Sequence, residues 1–243
     1  MLFKNLFPTG KKNKKGLILI FFSITGFLIY RYWNSIKTWF VTQRAANHNF
    51  DGSTCKTTKE DYYDHIIKWE GGQSDNDTGS AFAPGTEVNV NKGVTWDTYE
   101  NFKNSKGEIP NVQEFLEMPL NVWGDIADIS YWDKWSLDDL HHCKIRYIVH
   151  AYAWGSGNAG SERMLANWVR ANYNRQELDS MGVVNYYDIT KPEMIKIFNE
   201  WNPDTLFDLL VEERKRLFTT FATYPIYGNG WNNRINGLVE LIN

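Results

Sequence analysis

Beyond residue 58, apolar positions recur at helical spacing through most of the chain. The pattern predicts helices over 59–70, 95–102, 111–118, 120–131, 136–154, 161–172, 191–199, 204–220 and 231–242. In the first of them Tyr62, Ile66 and Glu70 are spaced i, i+4, i+8. An apolar face is therefore continued by a carboxylate. Gly71 and Gly72 follow at once and stop the helix, because glycine takes the left-handed conformation that closes a helix end. From 71 to 94 the periodicity disappears. Glu87-Val88-Asn89-Val90-Asn91 alternates and reads as one strand of a small hairpin. Thr95 stands where a helix cap belongs. The body is expected to be mainly α, with a small β element beside Glu70.

The amino end follows another pattern. Gly16 to Tyr30 is uncharged and mostly apolar, and through Trp33 it spans about 27 Å as a helix. Lys11, Lys12, Lys14 and Lys15 precede it, and Tyr30, Tyr32 and Trp33 close it with an aromatic belt. Tyr30-Arg31-Tyr32-Trp33 is too bulky for signal cleavage. The expected organisation is a basic cytoplasmic tail (1–15), one transmembrane anchor (16–33), a tether (34–58) and a body (59–243). That places the protein in the inner membrane as a single-pass chain, with its body outside the cytoplasm. Cys55 and Cys143 would both be exported, as one disulfide or as two buried thiols.

Charge sharpens this division. Formal net charge is -3 overall, but residues 1–40 hold seven basic side chains and no acidic ones. The remainder, with nineteen basic against 29 acidic residues, argues against nucleic acid as a partner. Aromatic residues make up 16%, including 11 Trp, which suits ring stacking on sugars and a large core alike.

Glu70 is the leading chemical candidate. The helix C-terminus and the neighbouring Trp69 both disfavour a charge there. Glycoside hydrolysis uses a carboxylic acid that keeps its proton. An unpaired Glu70 would also make Glu70→Gln stabilising near neutral pH. Asp75 and Asp77 are the nearest second carboxylates, or turn-forming residues. Thr95 would hold a water or cap its helix. Tyr131 and Trp132 would stack on sugar or fill the core. Trp231 and Arg234 share a helix face and would line the cleft or lock helices together. His141-His142-Cys143 invites a zinc reading, but no His-x-x-x-His or His-x-x-Glu pair supports it. Neither metal nor cofactor is expected, and no nucleophile elbow or phosphate-binding loop occurs.

Three ordered segments carry a resemblance. They are Lys68-Trp69-Glu70-Gly71-Gly72 with Asn91-Lys92-Gly93-Val94-Thr95; Tyr131-Trp132-Asp133; and Glu213 to Phe218 with Tyr224-Pro225 and Gly228 to Ile235. Together they resemble the family 108 glycoside hydrolases, lysozyme-like N-acetylmuramidases of phages and bacteria. The resemblance implies an α+β lysozyme-like fold, Glu70 as catalytic acid and peptidoglycan glycan as substrate. Beside Glu70, Asp77 and Thr95 are the further catalytic candidates read from the residues. Asp75, Asn91, Tyr131, Trp132, Trp231 and Arg234 would be substrate-binding. The alternative is an inactive wall-binding or scaffold module of an envelope-spanning machine or a phage. Ala151 and Gly155 stand near positions where the family usually has Asp and Asn.

Overall fold

The computed structural model describes residues 56–75 and 79–243. The expected tail, anchor and nearly all of the tether lie outside them, as do Cys55 and Asp77. Among the described residues no helix is long and apolar enough to cross a membrane. Cys143 is disulfide-bonded.

The body is mainly helical with one small antiparallel sheet, as expected. Helix α1 (Lys59–Glu70) starts on a capping box, in which Thr58 and Asp61 satisfy each other's backbone N–H. It buries Tyr62 and Ile66 and ends at Gly71, whose φ is +73°. The chain turns straight into strand β1 (Gln73–Ser74), which pairs with β2 (Val90–Asn91). Strand β2 pairs in turn with β3 (Val94–Thr95), Asn91 opposite Val94. Lys92 and Gly93 form the two-residue turn between them, with φ of +49° and +76°. Positive φ at both central positions gives the turn whose twist suits a tight hairpin.

Helices α2 (Trp96–Ser105), α3 (Val112–Glu117) and α4 (Leu120–Ala127) grip this hairpin. The buried Asn91 amide donates to the carbonyls of Phe115 and Leu116 at 2.8 and 2.9 Å. Trp123 Nε1 donates to the Lys92 carbonyl at 2.9 Å, and Lys92 Nζ to that of Met118 at 2.7 Å. The turn is thus fixed by backbone acceptors at the α3–α4 junction.

Helix α4 runs into a π-helical turn (Asp128–Trp132) and two short 3-10 turns (Asp133–Trp135, Leu137–Asp139). The helices expected at 136–154 and 161–172 are two helices joined across a kink at Gly157, where φ is +66°, and together are called α5 (Cys143–Asn172). Residues 136–142 are not part of it, because Ser136 takes a left-handed conformation that breaks the run. A short α6 (Arg175–Ser180), capped by Asn174 and Glu177, was not expected. Helices α7 (Lys191–Asn199), α8 (Pro203–Phe218) and α9 (Tyr224–Ile242) follow. Helix α9 begins two turns before the expected 231. Pro225 lies in its first turn, where the missing N–H costs nothing. Helix α5 packs on α7 and α8, and α9 packs on α1 and α8. That arrangement brings α5 and α9 to the end of α1, where Glu70 lies.

A carboxylate held by three elements

Glu70 is the last residue of α1, and three elements close on its side chain. From α9, Arg234 forms an ion pair with Glu70 Oε1. From α5, Trp154 Nε1 donates to the same oxygen at 3.0 Å. From the hairpin turn, Gly93 lies so close that a Cβ there would sit 2.9 Å from Glu70 Oε2. Among the described residues, then, both donors converge on one carboxylate oxygen and the other faces the hairpin backbone. The Glu70 and Arg234 side chains keep 17% and 19% of their exposure, so the pair stands at the lip of the body.

This arrangement corrects the expectation of an unpaired carboxylate. Helix end and apolar neighbours do surround Glu70, but a guanidinium from a helix 164 residues away in sequence answers its charge. A second arginine stands behind the first. Arg214, from α8, is 1% exposed, and its guanidinium lies over the rings of Tyr152 and Phe218, 4.7 and 4.9 Å from their centroids. Arg214 Nη1 donates to Ser156 Oγ at 2.7 Å. Burial pushes its pKa down to about 10, and the charge of Arg234 acts in the same direction, so it remains a cation near neutral pH. Both guanidiniums press on Gly155, where a Cβ would sit 2.6 Å from Arg214 Nη2 and 2.9 Å from Arg234 Nη2. No side chain larger than glycine fits there without displacing one of them.

Beneath the pair lies a crevice of about 10 Å³, enough for one water, whose lining includes Tyr62, His65, Ala151, Trp154 and Arg234. His150 lies in the same aromatic layer. Its ring stacks on Trp154 at 6.0 Å and 22°, and its Nδ1 is 2.9 Å from the Tyr62 hydroxyl. That hydroxyl also lies 3.0 Å from the Tyr147 carbonyl. Burial pushes the His150 pKa down to about 3, so its ring is neutral at physiological pH.

The remaining expected site residues divide. Tyr131 belongs to the layer, with its ring 4.9 Å from Trp154. Burial raises its pKa, and the Glu70 charge pushes in the same direction. Trp132 does not offer a stacking face: it is 3% exposed, bonds Asp138 through Nε1 and is covered by the Lys59 ammonium at 4.3 Å. The Asn91 amide is committed to the Phe115 and Leu116 carbonyls, so it braces the hairpin and does not face a ligand. Thr95 caps α2, its hydroxyl 3.2 Å from the Thr98 N–H and 2.9 Å from the Thr98 hydroxyl. Asp75 is exposed just past β1. Asp77 lies outside the described residues. Trp231 packs in an aromatic cluster with Phe218, Phe221, Tyr224 and Tyr227. Trp154 was missed, as were the roles of Gly93 and Gly155. His142 caps α5 by accepting from the Lys144 N–H, and among the described residues no group of three metal-capable side chains occurs.

With Glu70 at the end of its helix and the hairpin folded over it, the match to known proteins can be located. Residues 63–157 match the family model of glycosyl hydrolase 108. Glu70, Gly93 and Trp154 fall inside the glycosyl hydrolase 108 stretch; Arg214 and Arg234 lie beyond it. The chain is also similar to the structure of SagA from Brucella abortus, with 20% identity and a TM-score of 0.51 over 75% of this chain and 94% of that one. That likeness speaks for the fold alone. No curated protein matches the chain.

Two predictions follow from the ion pair and the buried imidazole. Glu70→Gln leaves Arg234 facing a neutral amide and should destabilise the body by about 1–3 kcal/mol near neutral pH in denaturant melts. An unchanged or raised stability would mean that Arg234 does not depend on Glu70. His150 has a folded pKa below the ordinary 6.5. The unfolded chain therefore binds more protons between pH 6.5 and about 3, and this contribution to stability is lost as pH falls through that window. His150→Phe should flatten the fall in melting temperature between about pH 7 and pH 4; an unaltered slope would place that acid sensitivity elsewhere.

Proposed function

We propose that the chain is a peptidoglycan hydrolase that cuts the glycan strand as a lysozyme-like N-acetylmuramidase, with Glu70 giving the proton to the bridging oxygen. The observation that carries this reading is the asymmetry of the Glu70 carboxylate. Among the described residues Arg234 and Trp154 both hold Oε1, and Oε2 lies against the Gly93 turn. A general acid needs one oxygen fixed for direction and the other able to reach the leaving group. The match of residues 63–157 to glycosyl hydrolase 108 supports the same reaction class.

The salt bridge sets a condition on the mechanism. Arg234 engages Oε1, so a sugar entering on that side must part the pair. A sugar ring seated against Arg234 would open it, drawing the guanidinium to its own oxygens and giving the acid drier surroundings. Asp77 is the proposed second carboxylate, and Thr95 and Tyr131 the proposed support of the reacting water and sugar. The apolar run at 16–33 would hold the body at the outer face of the inner membrane, close to the wall.

One observation favours a second reading. The ion pair also suits a carboxylate that serves as counterion to Arg234 in an inactive wall-binding module.

Muropeptide release from purified sacculi separates the two. Glu70→Gln removes the proton and should lower release by about 10²–10⁴-fold. Wild-type release from Glu70→Gln would overturn Glu70 as the acid; binding of sacculi without release by the wild type would favour the module. A carbonate wash tests the anchor, since the chain should stay with membranes, and recovery of a shorter soluble species would mean cleavage after the apolar run.

A further inference from the structure

Helix α9 carries two glycines within its first two turns, at 228 and 230. Glycine weakens a helix interior, so each needs a reason. Gly228 has one inside the protein: a Cβ there would lie 2.5 Å from the Tyr224 ring. Gly230 has none. It is exposed, and no atom lies within 4 Å of the place a Cβ would take. Bare backbone at an exposed helical position is a surface that another molecule can approach closely.

Its neighbours indicate what that molecule is. Tyr227 lies three residues before Gly230 and Arg234 four after, on one edge of the helix. Tyr227 is 45% exposed, and its ring lies 6.1 Å from Trp231 at 33°. Arg234 is bound to Glu70. From Tyr227 to Arg234 the helix rises about 10 Å. Along this edge an exposed aromatic ring, bare backbone and a guanidinium follow one another. A pyranose ring matches this edge, because its apolar face stacks on an aromatic ring and its oxygens accept from a guanidinium. We propose that this edge of α9 is a binding subsite for the glycan strand, adjoining Glu70, with Gly230 as its floor and Tyr227 as its stacking ring. The inference rests on the hydrolase reading and extends it by one sugar position on the Arg234 side of the acid. The occupant is the strand that Glu70 would cut, because this edge of the helix ends at Arg234, which pairs with Glu70.

The test uses the full-length chain carrying Glu70→Gln, so that peptide-free peptidoglycan glycan strands are bound and not cut, with Trp fluorescence as the readout. Gly230→Ala should raise the melting temperature by about 2–4 °C, because open space receives the methyl and the helix gains propensity. The same change should weaken strand binding, and Gly230→Leu should weaken it further. Tyr227→Ala should cost about tenfold in affinity. A purely structural Gly230 predicts the opposite sign: the alanine variant would melt earlier, and that result overturns the proposal. Strands bound with parental affinity by all three variants would also overturn it, while leaving the hydrolase reading intact. A parent that binds no strands, in a protein whose wild type releases no muropeptides, would remove both.

Discussion

The meeting of Glu70 with Arg234 and Trp154 is the constraint on which the rest of the body depends. It joins α1, α5 and α9, three helices far apart in sequence, through one carboxylate oxygen. Behind it stands Arg214, a buried cation whose neighbours are aromatic rings, a hydroxyl and a thioether. Rings and hydroxyls solvate a guanidinium but do not neutralise it. Two positive charges therefore approach Gly155 from α8 and α9, and the Glu70 carboxylate supplies negative charge to that corner of the fold. Whatever opens the ion pair leaves Arg234 without its carboxylate partner.

Close approach at that corner is made possible by missing side chains. Gly93 lets the hairpin turn lie on the carboxylate, Gly155 lets two guanidiniums meet α5, and Gly237 lets α9 pack against His65 and Trp69 of α1. Gly93 is doubly constrained, since its φ of +76° is one that side chains rarely adopt. At Gly155 the space that an amide would fill is taken by arginine. At Ala151 the space is a crevice for one water. The chain thus answers Glu70 with a cation, where the family resemblance implies a polar side chain near each of these positions.

Much of the fold was legible in periodicity, because α1, α7 and α8 carry their caps and apolar stripes in plain view. Thr58 with Asp61, Thr190 with Glu193, and Asn202 before Pro203 all mark starts. The failures have physical causes. Helix α9 was read as starting at 231 because Gly228, Gly230 and Pro225 read locally as a loop, whereas packing of Tyr224 and Trp231 against Phe221 and Phe218 overrides that preference. The division of α5 into two helices, by contrast, follows the expected one, since the non-helical dihedrals of Gly157 kink the run there. At the site, Glu70 was visible from its spacing to Tyr62 and Ile66. Its partner was not, because an ion pair across 164 residues leaves no local pattern.

The same reasoning explains why Trp154 escaped notice while Trp132 drew it. Each is a tryptophan in an aromatic-rich helical stretch, and neither spacing nor neighbours tell them apart. Trp132 points its indole N–H at Asp138 and is capped by Lys59; Trp154 points its own at Glu70. What separates them is the layer beneath. Trp154 rests on His150 at 22°, and between Trp123 and Tyr131, each 4.9 Å away. Trp123 also holds the Lys92 carbonyl of the hairpin turn. One indole N–H is therefore aimed at the carboxylate by a ring that also meets the tryptophan fixing the turn above it. Hairpin turn, carboxylate and indole donor are thus linked through one aromatic layer.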